Sequence, residues 1–289
     1  MLLYLVFKTK KMKFIYLASL ILTVSSSSLA CTSTQEGASS STASAGEKDY
    51  PYVELSKELI HTAQRKADYS AIREKLATVS VEELAEELDN DQAKKAFWIN
   101  VYNGFVQHIL TNNPELFEDR GAFFGEPRVT IAGQELSFDD IEHGIIRGSR
   151  VKWLLGLIKD PFAGKYERTF RVDKTDGRIH FALNCGAKSC PYVAIYDARL
   201  MDEQLDEIAS QYLNRSSDYK PDENKVYVTS LFSWFRGDFG GKSGIKDDFL
   251  KKYEVIPEEA DPDLEYQEYD WTLELGNYTE LETGAKAMK

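Results

Sequence analysis

The sequence has few cysteines, little positive charge and no long apolar segment, and each shortage excludes a class of protein. Three cysteines in 289 residues are too few for the disulfide scaffold of a small secreted domain. Its apolar runs are shorter than the roughly 20 residues that a membrane-spanning helix needs, which excludes a polytopic membrane protein. With 35 Lys and Arg against 47 Asp and Glu, the net charge is −12. No nucleic acid is therefore expected as a partner.

The few basic residues at the start of the chain form part of a targeting pattern. Lys10, Lys11 and Lys13 precede the apolar run 14–24, which small residues connect to Cys31. This arrangement is typical of a secretory signal. Its end resembles a bacterial lipoprotein processing site, at which the cysteine becomes the lipidated first residue. We predict an exported protein of the cell envelope that is bound to the membrane through a lipid anchor at Cys31. The alternative is an ordinary signal peptide that is cleaved nearby.

The composition divides the chain into three parts. Residues 1–31 form the signal peptide, and the Ser-rich residues 32–50 form a flexible tether, because they offer too little apolar surface to fold. Residues 51–289 form a single α+β domain, since helical and hairpin patterns are mixed without regular βαβ alternation. Without its first 31 residues the chain has 31 basic and 47 acidic side chains, a net charge of −16.

Helical spacing of apolar residues begins near Pro51 and recurs until an unusual segment at 94–110. A capping box at Ser80–Glu83 starts one helix. The segment 94–110 is apolar nearly all round, which predicts a central helix. Asn100, Asn103 and Gln107 share one stripe of it. Their amides either bond the backbone of neighbouring loops or line a cleft as donors to a substrate.

A hairpin and a polar helix follow. Residues 129–136 read as two short strands with Gly133 at the turn, and Ser137 caps the next helix. His143 and Arg147 lie four residues apart on that helix and share a face, an arrangement suited to an anionic ligand or to a polarised carbonyl. An ordinary surface pair is the alternative.

The segment 176–191 contains the most reactive residue types. Alternation over 179–184 predicts a strand that follows a hairpin turn, with His180 and Asn184 on one face. A loop of small residues then includes Cys185 and Cys190.

Three interpretations of these cysteines remain open. They form a disulfide in an exported protein, they contribute to a metal site with His143 and His180, or one of them is a nucleophile. In the third case Cys185 attacks, His143 is the better base, and backbone N–H groups of residues 186–189 stabilise the oxyanion. We expect neither a metal nor another cofactor.

Three blocks together resemble a known family. They are the run Lys94 to Asn103, the block Leu136 to Arg147, and the block Arg178 to Pro191. In this order they are similar to the domain of unknown function 547 family, with a resemblance that covers about residues 80–215. The family includes bacterial exported proteins and plant proteins that are intracellular. The resemblance implies that the Asn-rich helix, the Glu-His helix and the His/Cys segment form the site, without implying an activity.

The rest of the chain is predicted to complete the same domain. Apolar spacing predicts a helix at 205–213, and Val226 to Val228 reads as a strand. The tripeptide Arg236-Gly-Asp238 lies between aromatic residues and is expected to pack in the core. The tail 254–282 has eleven acidic and no basic residues, yet its aromatic residues predict a strap across the domain.

Two functions are consistent with these observations. The first is a cysteine-dependent hydrolase or acyltransferase on peptide-like amides, with Cys185, His143, His180 and Asn184 as catalytic residues. Substrate binding would fall to Asn100, Asn103, Arg147 and Cys190. The second is a non-catalytic binding protein of the cell envelope with a structural Cys185–Cys190 disulfide and an aromatic cleft for a peptide or glycan.

Overall fold

The computed structural model describes residues 48–150 and 159–283. The predicted signal segment, the lipidation site Cys31 and most of the predicted tether lie outside the described residues. The described part has an α+β fold, as predicted. Within it, no helix combines the length and the apolar character needed to cross a membrane.

Helices make up most of the described chain. Its α-helices are α1 (Pro51–Gln64), α2 (Ser70–Thr78), α3 (Val81–Glu87), α4 (Asp91–Asn112), α5 (Arg120–Gly125), α6 (Lys165–Phe170), α7 (Met201–Ser216), α8 (Leu231–Trp234) and α9 (Gly241–Gly244). Tighter 3-10 turns occur at Pro114–Asp119, Gly177–Phe181 and Pro221–Glu223, and wider π-helical segments at Asp140–Ile146 and Ile245–Lys251. We call Asp140–Ile146 the Glu-His helix.

Helix α4 is the centre of the fold, as its apolar sequence predicts. Nearly every side chain from Ala93 to His108 is buried. Its start is capped by Asn90, whose side chain accepts a hydrogen bond from the N–H of Ala93 at 3.0 Å. Helix α1 packs closely along α4 at Gly104, where an added Cβ would lie 2.7 Å from Cγ of Leu59. The absence of a side chain at Gly104 therefore sets the distance between the two helices.

The strands form two small sheets. Strands β1 (Val129–Ile131) and β2 (Gln134–Leu136) are the predicted antiparallel hairpin, and Gly133 turns it with φ of +74°. Strands β3 (Asp218–Lys220), β4 (Lys225–Val228) and β5 (Asp263–Tyr266) form a second sheet in that order. Strand β4 pairs with β3 antiparallel and with β5 parallel.

The prediction of a strand over 179–184 is wrong. Residues Gly177–Phe181 form a 3-10 turn that begins where Asp176 accepts a hydrogen bond from the N–H of Arg178. The residues before it also differ, because α6 occupies part of the predicted hairpin. Both sets of alternating side chains are buried, from Ile179 to Asn184. Alternation indicates a strand only where one set of side chains faces solvent and the other set is buried. Here both sets are buried, so the alternation does not indicate a strand. His180 therefore does not lie on a sheet.

The acidic tail crosses the domain as the predicted strap. Its strand β5 joins the second sheet, and farther on the N–H groups of Lys188 and Val193 donate to the carbonyl oxygens of Thr272 and Asn277, both at 2.8 Å. The strap thus holds residues 184–191, which we call the cysteine loop, against the body of the domain.

Candidate active site

A cavity of about 400 Å³ lies between the Glu-His helix, the cysteine loop and the strap. Three of the predicted catalytic residues, Cys185, His143 and His180, line it together. His143 comes from a different sequence block than His180 and Cys185, so its meeting with them is a property of the fold. The wall also includes two carboxylates, Asp139 and Glu142. The aromatic side chains of the wall are Tyr102, Phe124, Trp234, Phe235, Tyr269 and Trp271.

His180 is held by a buried carboxylate. Its Nε2 lies 2.9 Å from Oδ2 of Asp238, whose side chain is fully buried. An ionised carboxylate can only accept, so Nε2 carries a proton and the neutral ring keeps its lone pair on Nδ1. The ring also stacks on Phe235, with centroids 3.8 Å apart. This fixed imidazole with a free Nδ1 has the form of a general base oriented by an acid.

The same carboxylate oxygen binds Arg147. Nε of Arg147 donates to Oδ2 of Asp238 at 2.5 Å, and the guanidinium lies over the ring of Phe235. Although burial alone raises the pKa of Asp238, hydrogen bonds from His180 and Arg147 and the charge of Arg147 hold it below its usual value. Burial lowers the pKa of His180 despite the opposing effect of Asp238. Near neutral pH, His180 is therefore uncharged and Asp238 ionised.

His143 has a different set of partners. Nη1 of Arg147 lies 2.8 Å from Nδ1 of His143, which confirms that the two side chains share a face. Nε2 of His143 lies 3.5 Å from Oδ1 of Asp139, and Glu142 lies 3.7 Å from Nδ1. A guanidinium has donors only, so Nδ1 must accept from Arg147. His143 is thus poorly placed to be the base that the sequence suggested, because its lone pair is already in use.

Arg147 is not exposed to a ligand. Its side chain is 1% exposed and bonds Asp238 and His143. Its predicted role in binding an anionic substrate is therefore replaced by a role in holding two other side chains. The cavity wall contains another guanidinium, that of Arg120, which lies 4.9 Å from the ring of Trp271.

The buried amides bond the backbone. The side-chain amide of Asn100 donates to the carbonyl of Tyr196 and accepts from its N–H. The amide of Asn103 donates to the carbonyl of Ala182 and accepts from the N–H of Asn184. Gln107 bonds Asn184 and the N–H of Gly276. None of the three lines the cavity. These contacts therefore fit the interpretation in which the amides bond neighbouring loops, and not the one in which they line a cleft as donors to a substrate.

Asn184 anchors the cysteine loop from beneath. Its Nδ2 donates to the carbonyl of Pro191 at 2.6 Å, and its Oδ1 accepts from the N–H of Gly186 at 2.9 Å. With 1% of its surface exposed, Asn184 acts on the loop and not on the cavity. It positions Cys185, which follows it in the chain.

Cys185 and Cys190 are joined by a disulfide. The hydroxyl of Tyr269 donates to Sγ of Cys190 at 3.2 Å and lies 3.9 Å from Sγ of Cys185. Among the described residues, no hydrogen bond joins either sulfur to a histidine. Lys188, which could have stabilised a thiolate, instead pairs with Asp270 at the surface. In this oxidised state neither cysteine is a nucleophile.

Three of the four backbone donors expected in residues 186–189 are occupied. The N–H of Gly186 bonds Asn184, and those of Lys188 and Ser189 bond the carbonyls of Thr272 and Asp270 in the strap. The fourth, Ala187, is buried and does not line the cavity, so residues 186–189 do not form an oxyanion hole. Nor does the described part of the chain contain a group of three His, Cys, Asp or Glu side chains arranged for a metal ion.

Sequence reasoning missed several side chains of the site. Asp238 was expected only to pack, although an acid between Phe235 and Phe239 must find a buried partner. Tyr269 and Glu142 were not assigned a role either. Glu142 directly precedes His143, so the sequence offered a local signal for its place in the site. Tyr269 lies 84 residues after Cys185, and no local pattern connects the two.

The fold and the cavity define an α+β domain with a buried His-Asp-Arg-His network beside a disulfide loop. Residues 85–213 match the family described as "Protein of unknown function, DUF547", which confirms the predicted resemblance. This segment includes α4, the Glu-His helix and the cysteine loop, while Asp238 and the strap lie beyond it. The chain matches no curated protein and no solved structure.

Proposed function

We propose that the cavity is the active site of a cysteine-dependent hydrolase or acyltransferase that acts on peptide-like amides. The observation that carries this proposal is that Cys185 shares one cavity wall with His180, a base candidate oriented by Asp238. Nucleophile, base and orienting acid are the parts that thiol catalysis requires. A cavity of about 400 Å³ is in the size range of small-ligand sites.

The reaction begins with reduction of the disulfide. A dithiol supplies two electrons and two protons, is itself oxidised to a disulfide, and leaves Cys185 and Cys190 as thiols. Nδ1 of His180 then takes the proton of Cys185, and the thiolate forms a bond to the amide carbon while the carbonyl π electrons move to oxygen. Collapse of this intermediate breaks the C–N bond, and His180 protonates the leaving amine. Water, or an acceptor amine, releases the acyl group from the thioester.

The test measures the thiols and the turnover separately. After reduction, iodoacetamide at neutral pH is expected to alkylate Cys185, as located by mass spectrometry, and His180→Gln is expected to slow this reaction. A library of short fluorogenic peptide amides then tests turnover, with Cys185→Ser expected to abolish it and the exposed control Ser243→Ala expected to leave it unchanged. Unimpaired turnover by Cys185→Ser overturns the proposal, as does a Cys185 that stays inert after reduction.

A second candidate, favoured by the disulfide itself, is a non-catalytic binding protein. The bridged cysteines then stabilise a loop beside aromatic side chains, of which Trp234 and Trp271 are stacked with centroids 5.7 Å apart. Aromatic faces of this kind suit a peptide or a glycan. This function predicts binding by the unreduced protein, measured by calorimetry against peptide and oligosaccharide panels, and loss of binding in Trp271→Ala but not in Phe162→Ala, an exposed aromatic residue outside the cavity wall.

We also propose that the protein is exported and bound to the membrane through a lipid on Cys31. The basic, apolar and small-residue pattern of residues 10–31 supports this. Growth with a labelled fatty acid is expected to label the wild type and not Cys31→Ala. Label that persists in Cys31→Ala would show that another residue is modified, and unlabelled, released wild-type protein would favour ordinary signal cleavage.

A further inference from the structure

We propose that His143 is a hydrogen-bond donor of the active site, which Arg147 holds in the tautomer that carries its proton on Nε2, and that this donor receives the negative oxygen formed on the substrate. The role as oxyanion donor rests on the proposed function. The tautomer follows from the hydrogen bonds alone.

The partners of His143 determine the position of its proton. Nη1 of Arg147 lies 2.8 Å from Nδ1, a normal hydrogen-bond distance, and can only donate. Glu142, the competing partner at Nδ1, lies 3.7 Å away, which is too far for a hydrogen bond. The neutral ring therefore carries its proton on Nε2. A proton on Nδ1 would point at the N–H of Arg147.

Arg147 is itself fixed, so the tautomer is fixed with it. Its Nε bonds Oδ2 of Asp238, the atom that also accepts from Nε2 of His180. The buried carboxylate of Asp238 thus orders the imidazole of His180 directly and that of His143 through Arg147. His180 is left with a lone pair on Nδ1 and His143 with an N–H on Nε2, so the two rings have opposite roles, one as base and one as donor.

The Nε2–H of His143 is available to a substrate. His143 lines the cavity, whereas Arg147, which occupies the other nitrogen, is buried behind it. The contact from Nε2 to Asp139 is 3.5 Å, longer than a normal N–H···O bond. The backbone N–H groups of Gly186, Lys188 and Ser189 are occupied by other partners. Ala187 is buried and does not line the cavity. His143 therefore supplies the donor that residues 186–189 do not.

The tautomer is tested directly by nitrogen-15 NMR of the imidazole rings in the full chain at neutral pH, with His143→Gln used to assign the signals. We expect His143 protonated on Nε2 only, in the oxidised and the reduced protein. Arg147→Lys is expected to weaken this preference. A signal from Nδ1–H, or from a doubly protonated ring, overturns the proposal. If His143→Gln does not fold, substitutions of His61, His108 and His180 assign the other three signals and leave the fourth to His143, so the wild-type spectrum still decides.

The donor role is tested with two probes on the reduced protein. Iodoacetamide reacts with a thiol without forming an oxyanion, so His143→Ala is expected to leave alkylation of Cys185 unchanged. Acetylglycinal adds the thiol across its aldehyde, and the new oxygen needs a donor. Its affinity is expected to fall about tenfold in His143→Ala and to be largely retained in His143→Gln, which keeps an N–H donor. Slower alkylation in both variants would make His143 a base and overturn the donor role. If Cys185 of the reduced wild type does not react, the proposed hydrolase is refuted. The tautomer of His143 is still decided by the NMR spectrum.

Discussion

Nε2 of His180 lies 2.9 Å from Oδ2 of Asp238, although 58 residues separate the two in the sequence. Arg147 donates to the same oxygen from a third element. A buried carboxylate is costly to desolvate unless charged or polar donors compensate it. The contact therefore ties the Arg-Gly-Asp segment to the Glu-His helix and the 3-10 turn, and it makes the site dependent on the correct packing of all three.

Asp238→Asn is expected to destabilise the protein by about 3 kcal/mol or more, because the substitution leaves the buried guanidinium of Arg147 without its counter-charge. The free energy of unfolding from urea titration measures this. The matched control is Asp222→Asn in an exposed turn, which is expected to change stability by less than about 0.5 kcal/mol. Equal effects of the two substitutions would show that Asp238 is not an essential partner of Arg147.

Stability is expected to fall as the pH decreases below about 6.5. Burial lowers the pKa of both His108 and His180, whereas in the unfolded chain they titrate near the ordinary value of 6.5. Between the folded and unfolded pKa values the unfolded chain binds more protons, so acid favours unfolding there and the effect vanishes above that range. Each histidine contributes at most about 1.4 kcal/mol per pH unit.

The measurement is a series of urea titrations between pH 8 and pH 5.5. His108→Gln is expected to reduce the slope of unfolding free energy against pH below pH 6.5. His108 is a suitable site for this test because it lies outside the cavity, with its Nε2 3.1 Å from the carbonyl of Leu59. A stability that rises on acidification through this range would contradict the buried, neutral state of these rings.

Asn103→Ala is expected to destabilise the fold by about 2–4 kcal/mol, because it removes two hydrogen bonds and leaves the carbonyl of Ala182 and the N–H of Asn184 without partners. Asn113→Ala, at the exposed end of the same helix, is the control and is expected to cost much less. A loss of ligand affinity with unchanged stability would instead assign Asn103 to substrate binding.

Local patterns predicted the parts of this fold that local interactions form. Ser80 accepts from the N–H of Glu83 as the capping box requires, and Gly133 turns the hairpin. The sequence wrongly predicted a strand where residues 177–181 form a turn. His180 and its neighbours are buried on both sides, so the contrast between a buried and an exposed face, which marks a strand, is absent there. The site residues Cys185, His143 and His180 were identified by their chemistry, but their roles depend on Asp238 and Arg147. The contact between His143 and Arg147 spans four residues and follows from helical spacing. The contacts of Asp238 with His180 and Arg147 are long-range, and no periodicity encodes them.

Gly104→Ala is expected to destabilise the protein by about 1–3 kcal/mol, even though alanine favours a helix more than glycine does. The new Cβ would lie 2.7 Å from Cγ of the fully buried Leu59, so α1 and α4 would have to move apart or repack. Gly125→Ala in α5, outside the cavity wall, is the matched control. There the nearest atom, Oδ2 of Asp139, is 3.8 Å away, so the same substitution is expected to be neutral or stabilising by up to about 1 kcal/mol. Thermal and urea unfolding of both variants measure the difference. Because α4 also holds the cysteine loop through Asn103 and Gln107, a shift of α4 is expected to slow alkylation of reduced Cys185 in Gly104→Ala and not in the control.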